Sequence, residues 1–218
     1  MHKNLILIGG GGHCKSVIDV AEGAGWSILG ILDTSENVGD TVLGHKIIGT
    51  NDHIPELVHR ACFLVSVGQI KDAGLRVKLH NKVISAGGKL ATVIASDAHV
   101  SRYAMIGEGT VVMHNAVVNA EVKIGMGCII NTMANVEHDA VVGNYCHISI
   151  GALIAGNCII GDESFLGSGV VLVNGVSIPA QSVIAAGAVV HKNIDVSGIY
   201  AGNPAILKKR DHQIQNER

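Results

Sequence analysis

The 218-residue chain carries 16 Lys and Arg against 18 Asp and Glu, a formal net charge of -2, so it has no long-range field to gather nucleic acid or an anionic membrane. Aromatic residues make up only 3% while glycines number 28, which excludes a core built on Phe, Tyr and Trp and calls for many thin layers of Ile, Val and Ala. Gly and polar residues interrupt every apolar run short of the roughly 20 residues a bilayer span needs, and five cysteines with no CxxC pair and no leader-like start suit a reduced, cytoplasmic setting.

The first ninety residues alternate strand and helix patterns. Residues 5–8 read as a buried strand, 9–12 as a turn of four glycines, and 15–23 as a helix through Val17, Ile18, Val20 and Ala21. A second strand over 28–32 ends at Asp33, and a loop rich in Gly and Asp follows. A short helix over 54–60, a third strand over 63–67 and a longer helix over 71–86 lead to residues 90–94. This alternation predicts a small Rossmann-like domain over 1–90, a parallel sheet with helices on it. A Gly-rich turn entering a helix presents free N–H groups to phosphate, and an acidic residue such as Asp33 about twenty positions on accepts from sugar or base hydroxyls. The dinucleotide fingerprint is incomplete, because its third glycine falls at Cys14 or Lys15. A single nucleotide-linked ligand is expected in place of NAD, against the plain alternative of a turn that only packs close to the sheet.

From Ile94 to Val190 an aliphatic residue recurs at every sixth position, seventeen times without an insertion, and a small residue stands four places after each of the first sixteen. Neither 3.6 nor 2 residues per repeat produces this. A triangular coil does, with one short strand per face, the aliphatic residue inward, and the small residue passing a tight corner. Glycine follows the aliphatic position at Gly107, Gly125, Gly143 and Gly161, eighteen apart, so a coil is three hexapeptides and these glycines stack on one edge, where the backbone needs unusual dihedrals or close approach. The coil domain spans 91–195, with a C-terminal segment and tail over 196–218. Cys128, Cys146 and Cys158 occupy the small-residue column and read as packing, and Cys62 reads as core.

His138 stands two places beyond inward Val136 and so projects outward from a rigid coil, flanked by Glu137 and Asp139. A carboxylate-held imidazole has a defined tautomer and added basicity, the properties of a general base. One coil before and after it stand Ala120 and Gly156, which leave a shelf where a thioester can lie with the Gly156 N–H near its developing oxyanion. An exposed His with chance acidic neighbours is the competing explanation. His147, nine residues on, lies half a coil away on another face, so it meets His138 only across two chains. For a metal, His114, His138 and His147 are the best-placed candidates, but separations of 24 and 9 do not stack on one edge. His45, His53, His59, His80, His99, His191 and His212 are expected in solvated or structural places.

Through 8–13, 67–69, 131–139, 146–148, 155–157 and 201–205, the chain resembles the bacterial sugar acyltransferases of the sialic acid O-acetyltransferase type, which include nucleotide-linked 4-amino-sugar N-acetyltransferases. The resemblance implies a left-handed parallel β-helix, a homotrimer with active sites between neighbouring chains, acetyl-CoA as cosubstrate and no metal. It implies N-acetylation of a UDP- or GDP-linked 4-amino-4,6-dideoxy sugar for glycan or lipopolysaccharide assembly. His138 is then the base and Asp139, often Glu in the family, its orienting group, with Glu137 the other candidate. Asn131 and His13 would touch the sugar nucleotide, Gly11, Gly12, Asp33, Gly68 and Gln69 would line its nucleotide pocket, and Arg76 would meet phosphate. CoA would run past His147, Gly156, Ser168 and Ala186, with Pro204 near its adenine. The rival readings are O-acetylation of a sialic-acid-like sugar and a metal-binding or non-catalytic β-helix trimer.

Overall fold

The computed structural model describes residues 3–210, so the tail over 211–218, His212 included, lies outside it. The first unit is a five-stranded sheet of β1 (Lys3–Ile8), β2 (Trp26–Asp33), β3 (Thr41–Val42), β4 (His45–Thr50) and β5 (Cys62–Val65), in the order β3-β4-β2-β1-β5. All pairings are parallel except the β3–β4 hairpin. That hairpin falls where the sequence predicted only a loop. Leu43 and Gly44, with φ of 48° and 85°, form its tight turn. Ile47 is buried in the core and Ile48 lies over Gly30, where an added Cβ would stand 2.7 Å from it. Two apolar residues in a six-residue strand give too little alternation to be recognised.

Helix α1 (Gly12–Gly23) buries Val17, Ile18, Val20 and Ala21 on one side of the sheet. The short α2 (Ile54–Leu57) and α3 (Gly74–Ser85) cover the other, with Ile54, Leu79 and Val83 against Ile8, Leu32, Phe63 and Val65.

The second unit is a left-handed parallel β-helix. Seventeen two-residue strands, β6 (Val93–Ile94) through β22 (Val189–Val190), form three parallel sheets, and each strand ends on the residue of the six-fold column. Successive coils pair in register eighteen residues apart, as in Val118↔Val136↔Ile154. The aliphatic and small columns together form the interior. Five polar members of the small column donate to a carbonyl fifteen residues on, Thr110 to Gly125, Cys128 to Gly143, Cys146 to Gly161, Cys158 to Val173 and Ser164 to Pro179, while Ser182 donates back to Pro179.

The corner itself sits one residue earlier than the small column. Every sixth residue from Gly109 to Gly187 has positive φ, including Asn115, Met133, Asp139 and Asn157. The edge glycines serve close approach instead: a Cβ on Gly161 would lie 2.2 Å from the Ala180 nitrogen.

The two units share one apolar core. Val17, Ile18 and Ala21 of α1 pack with Leu5, Leu7 and Ile31 on one side and with the outward residues Val93, Val111 and Ile129 of the first coils on the other. A hairpin of β23 (Gly198–Ala201) and β24 (Ile206–Arg210) closes the last coil, with Pro204 exposed between its strands. Among the described residues, no helix is long and apolar enough to cross a membrane.

Candidate active site

Two clusters emerge, one on a coil corner and one at the junction of the units. At the corner, the His138 Nδ1 lies 2.8 Å from Oδ2 of Asp139, and both side chains are 58% exposed. Asp139 occupies the left-handed corner position with φ 61°, which Asp tolerates better than most residues, and this conformation turns its carboxylate back towards the imidazole. Glu137 does not compete, since it accepts from Asn119 at 2.9 Å and Asn135 at 3.1 Å. The imidazole lies across Gly156, where a Cβ would meet its Cε1 at 2.7 Å and Nε2 at 2.8 Å. The shelf expected beside the ring is therefore the surface on which the ring itself rests. Among the described residues the Gly156 N–H has no hydrogen-bond partner.

The junction cluster begins at the Gly-rich turn. Asp33, at the end of β2, accepts from the Gly10 N–H at 2.8 Å and holds the turn against the sheet. Above Gly11 and Gly12 a Cβ would meet nothing within 4 Å, and α1 starts with no side-chain cap and no acidic residue in its first turn. Its free N–H groups therefore face open space. His13 follows, with Gly68 beside its Cβ and its ring centroid 6.5 Å from that of His147. His147 Nδ1 donates to the Gln69 carbonyl at 2.8 Å, which leaves Nε2 to accept from the Asn131 amide at 3.0 Å. Gln69 in turn donates to the Tyr145 carbonyl at 2.6 Å. Burial lowers both imidazoles to about 4, helped for His13 by His147 and for both by Arg76, so both are neutral at pH 7.

Two expected roles change here. His147, expected beside CoA, is 8% exposed and lies at the junction of the units, with Nδ1 on the Gln69 carbonyl and Nε2 on the Asn131 amide. Arg76 is 1% exposed and donates to backbone carbonyls beneath the turn, so it cannot reach a phosphate. Ser168 and Ala186 are exposed on the corner that follows the strands of His147 and Phe165, one face away from His138 and Gly156. His114 bridges Asp97 at 2.8 Å and Asp19 of α1 at 3.1 Å, a clip between the units. Among the described residues no group of three His, Cys, Asp or Glu side chains is placed to hold a metal ion. Tyr145, Asn119 and Asn135 were not anticipated; the eighteen-residue spacing of Asn119 to Glu137 was the available signal.

A hexapeptide coil that carries an exposed His–carboxylate pair, joined to an α/β unit with an open Gly-rich turn, defines a hexapeptide-repeat acyltransferase. Residues 4–83 match the PglD N-terminal domain family and 139–174 the bacterial transferase hexapeptide (six repeats) family. No curated protein sequence matches the chain at a significant level. The acetyltransferase domain of PglB from Neisseria gonorrhoeae FA1090, in complex with acetyl coenzyme A, is 33% identical with a TM-score of 0.88 over 95% of this chain and 100% of that one. PerB from Caulobacter crescentus, in complex with CoA and GDP-perosamine, is 32% identical with a TM-score of 0.80 over 94% of this chain and 97% of that one. WeeI from Acinetobacter baumannii AYE, 21% identical with a TM-score of 0.80 over 94% and 100%, has the same fold. The chain belongs to the hexapeptide-repeat sugar acyltransferases with a PglD-type N-terminal domain.

Proposed function

We propose that this enzyme transfers the acetyl group of acetyl-CoA to the amino group of a UDP- or GDP-linked 4-amino-4,6-dideoxy sugar, in the cytoplasm. The observation that carries the reading is the His138–Asp139 pair lying over Gly156. With Nδ1–H donated to Asp139, the Nε2 lone pair of His138 is free to take the proton that the amine loses as its nitrogen bonds the thioester carbon. The Gly156 N–H stabilises the oxyanion, and the proton leaves with the CoA sulfur as the C–S bond breaks. The open start of α1 suits a diphosphate. A cleft of about 500 Å³ lined by Asp33, Thr34, Asn51 and Leu79 has the size of a nucleoside site. The binding of acetyl coenzyme A by PglB and of GDP-perosamine by PerB supports both substrate classes.

The reading includes a homotrimer. Two coil faces are left uncovered by the first unit and carry outward apolar residues, Met105, Val141 and Ile159 on one, Val117 and Leu153 on the other, and they meet at the corner of His138. A second copy packed there buries these residues and brings its own corner, with Ser168 and Ala186, beside Gly156. CoA then runs between two chains.

Turnover of wild type and His138→Ala with acetyl-CoA and a panel of UDP- and GDP-linked amino sugars tests the reading. Acetylation of a sugar nucleotide that survives mild alkali, and is lost in the variant, is expected; undiminished turnover removes His138 from the mechanism. Sedimentation of the purified protein should give three chains.

A further inference from the structure

Arg76, the third residue of α3, points inward, and no carboxylate partners it among the described residues. A guanidinium is costly to bury without a counter-ion, and an apolar chain of similar length would fill the same volume at less cost. Packing alone does not account for it, whereas its partners do. Nη1 donates to the carbonyls of Val65, at 3.2 Å, and Val67, and Nη2 donates to that of Gly127 at 2.7 Å.

Those three carbonyls belong to three parts of the molecule. Val65 ends β5, Val67 opens the loop that carries Gly68 and Gln69, and Gly127 turns a coil corner with φ +64°. The planar fork ties sheet, loop and coil with one side chain, which a lysine ammonium cannot do in the same geometry. Past Val67, the loop is fastened twice more, by the Gln69 amide on Tyr145 and by His147 Nδ1 on the Gln69 carbonyl, while Ile70 beyond it is 63% exposed.

We propose that Arg76 is a positioning residue that sets the height of the Gly68–Gln69 loop over the coil and, through the Gln69 carbonyl, holds His147 as the Nδ1–H tautomer facing Asn131. The sugar-nucleotide end of the site is thus shaped from inside the domain junction by a group that touches no ligand. This rests on the reading of that loop as part of the sugar-nucleotide site. The hydrogen bonds of Arg76 end at Val65, Val67 and Gly127, away from the corner of His138, so acetyl-CoA binding and the chemical step should not depend on it.

Arg76→Met and Arg76→Lys in the full chain test this through the KM of each substrate, kcat, hydrogen exchange of residues 66–73, and nitrogen NMR of the His147 imidazole. The Met variant should raise the sugar-nucleotide KM by about tenfold or more, with acetyl-CoA KM and kcat within about twofold, and Lys should fall between. Exchange should quicken in 66–73 while β1 and the coil stay protected, and the His147 signals should show a mixture of tautomers. An unchanged sugar-nucleotide KM and an unchanged His147 tautomer in a folded variant overturn the proposal. So does a rise in exchange throughout the chain with both KM values affected alike. If Arg76→Met does not fold, Arg76→Lys decides by the same criteria. A wild type inactive on every sugar nucleotide sinks the functional reading instead, and loop exchange with His147 NMR still decides the role of Arg76.

Discussion

At His138 a single glycine decides where the imidazole proposed as the base sits. Gly156 has no left-handed φ, so alanine is conformationally acceptable there, yet its Cβ would lie 2.7 Å from His138 Cε1. The flexible partner is the imidazole, which must swing off its shelf. Gly156→Ala is therefore expected to keep the unfolding midpoint of the wild type while lowering kcat by about 10²-fold, checked by thermal unfolding beside steady-state kinetics. Asp139→Asn should cost less than His138→Ala, which removes the proposed base, a group of a kind worth about 10²–10⁴ in rate, because the amide still contacts Nδ1 but no longer selects its protonated form. Equal losses in the two variants would mean that Asp139 does more than orient the ring. The outward placement of His138 was legible from its distance to Val136, but the choice between Glu137 and Asp139 was not: both are adjacent, and only the amides of Asn119 and Asn135 show which carboxylate is occupied. His147 was legible as lying on another face, whereas its burial depends on a loop 78 residues away, which no local pattern encodes.

Along the coil, the six-residue column fixed the register of every strand because the same small set of side chains must fill identical layers. The corner was placed less well, since a run of Asn, Met, Asp and Glu at left-handed positions looks unremarkable in sequence, and the glycines that stand out serve a different purpose. Two glycines separate the two requirements. Gly151 has φ +63° and open space where a Cβ would go, whereas Gly161 has an ordinary φ but a backbone nitrogen at 2.2 Å. Gly151→Ala should cost about 1–2 kcal/mol from conformation alone. Gly161→Ala must push two coils apart, an overpacking cost of about 1–3 kcal/mol or more, and should broaden the unfolding transition as the coil stack loses continuity. Denaturant titrations measure both, and a Gly161→Ala protein as stable as wild type would contradict the stacking argument. The β3–β4 hairpin escaped the sequence for the opposite reason, because it has no repetition to reveal it.

Joining the two units buries titratable groups that neither unit would bury alone. His80 of α3 is fully buried between Gly109 and Gly127, with neither ring nitrogen in good hydrogen-bond geometry among the described residues, and burial holds it at about 4, as it does His13 and His147. Each folded value lies below the ordinary 6.5, so the unfolded chain binds protons that the folded chain refuses. This stability is present in full above pH 6.5 and is lost as pH falls from there towards 4. His114 has the opposite sign, because its bond to Asp97 raises its pKa, so its contribution is complete below 6.5 and declines only at higher pH. The upper part of the acid loss therefore reports the three buried rings, since Asp52 and Asp97, held below the usual carboxylate range by Lys82 and His114, add theirs only as pH nears that range. Each contributes a slope of up to ~1.4 kcal/mol per pH unit, less for His13, which is partly exposed. His80→Phe keeps the ring against Tyr145 but removes both orphaned nitrogens and one proton-binding group. Unfolding free energies measured at intervals from pH 7 down to pH 4.5 should fall less steeply in this variant, by about one proton's worth of slope. A slope equal to that of wild type would show that His80 already binds its proton in the folded junction, and that the glycine-walled slot is open to water.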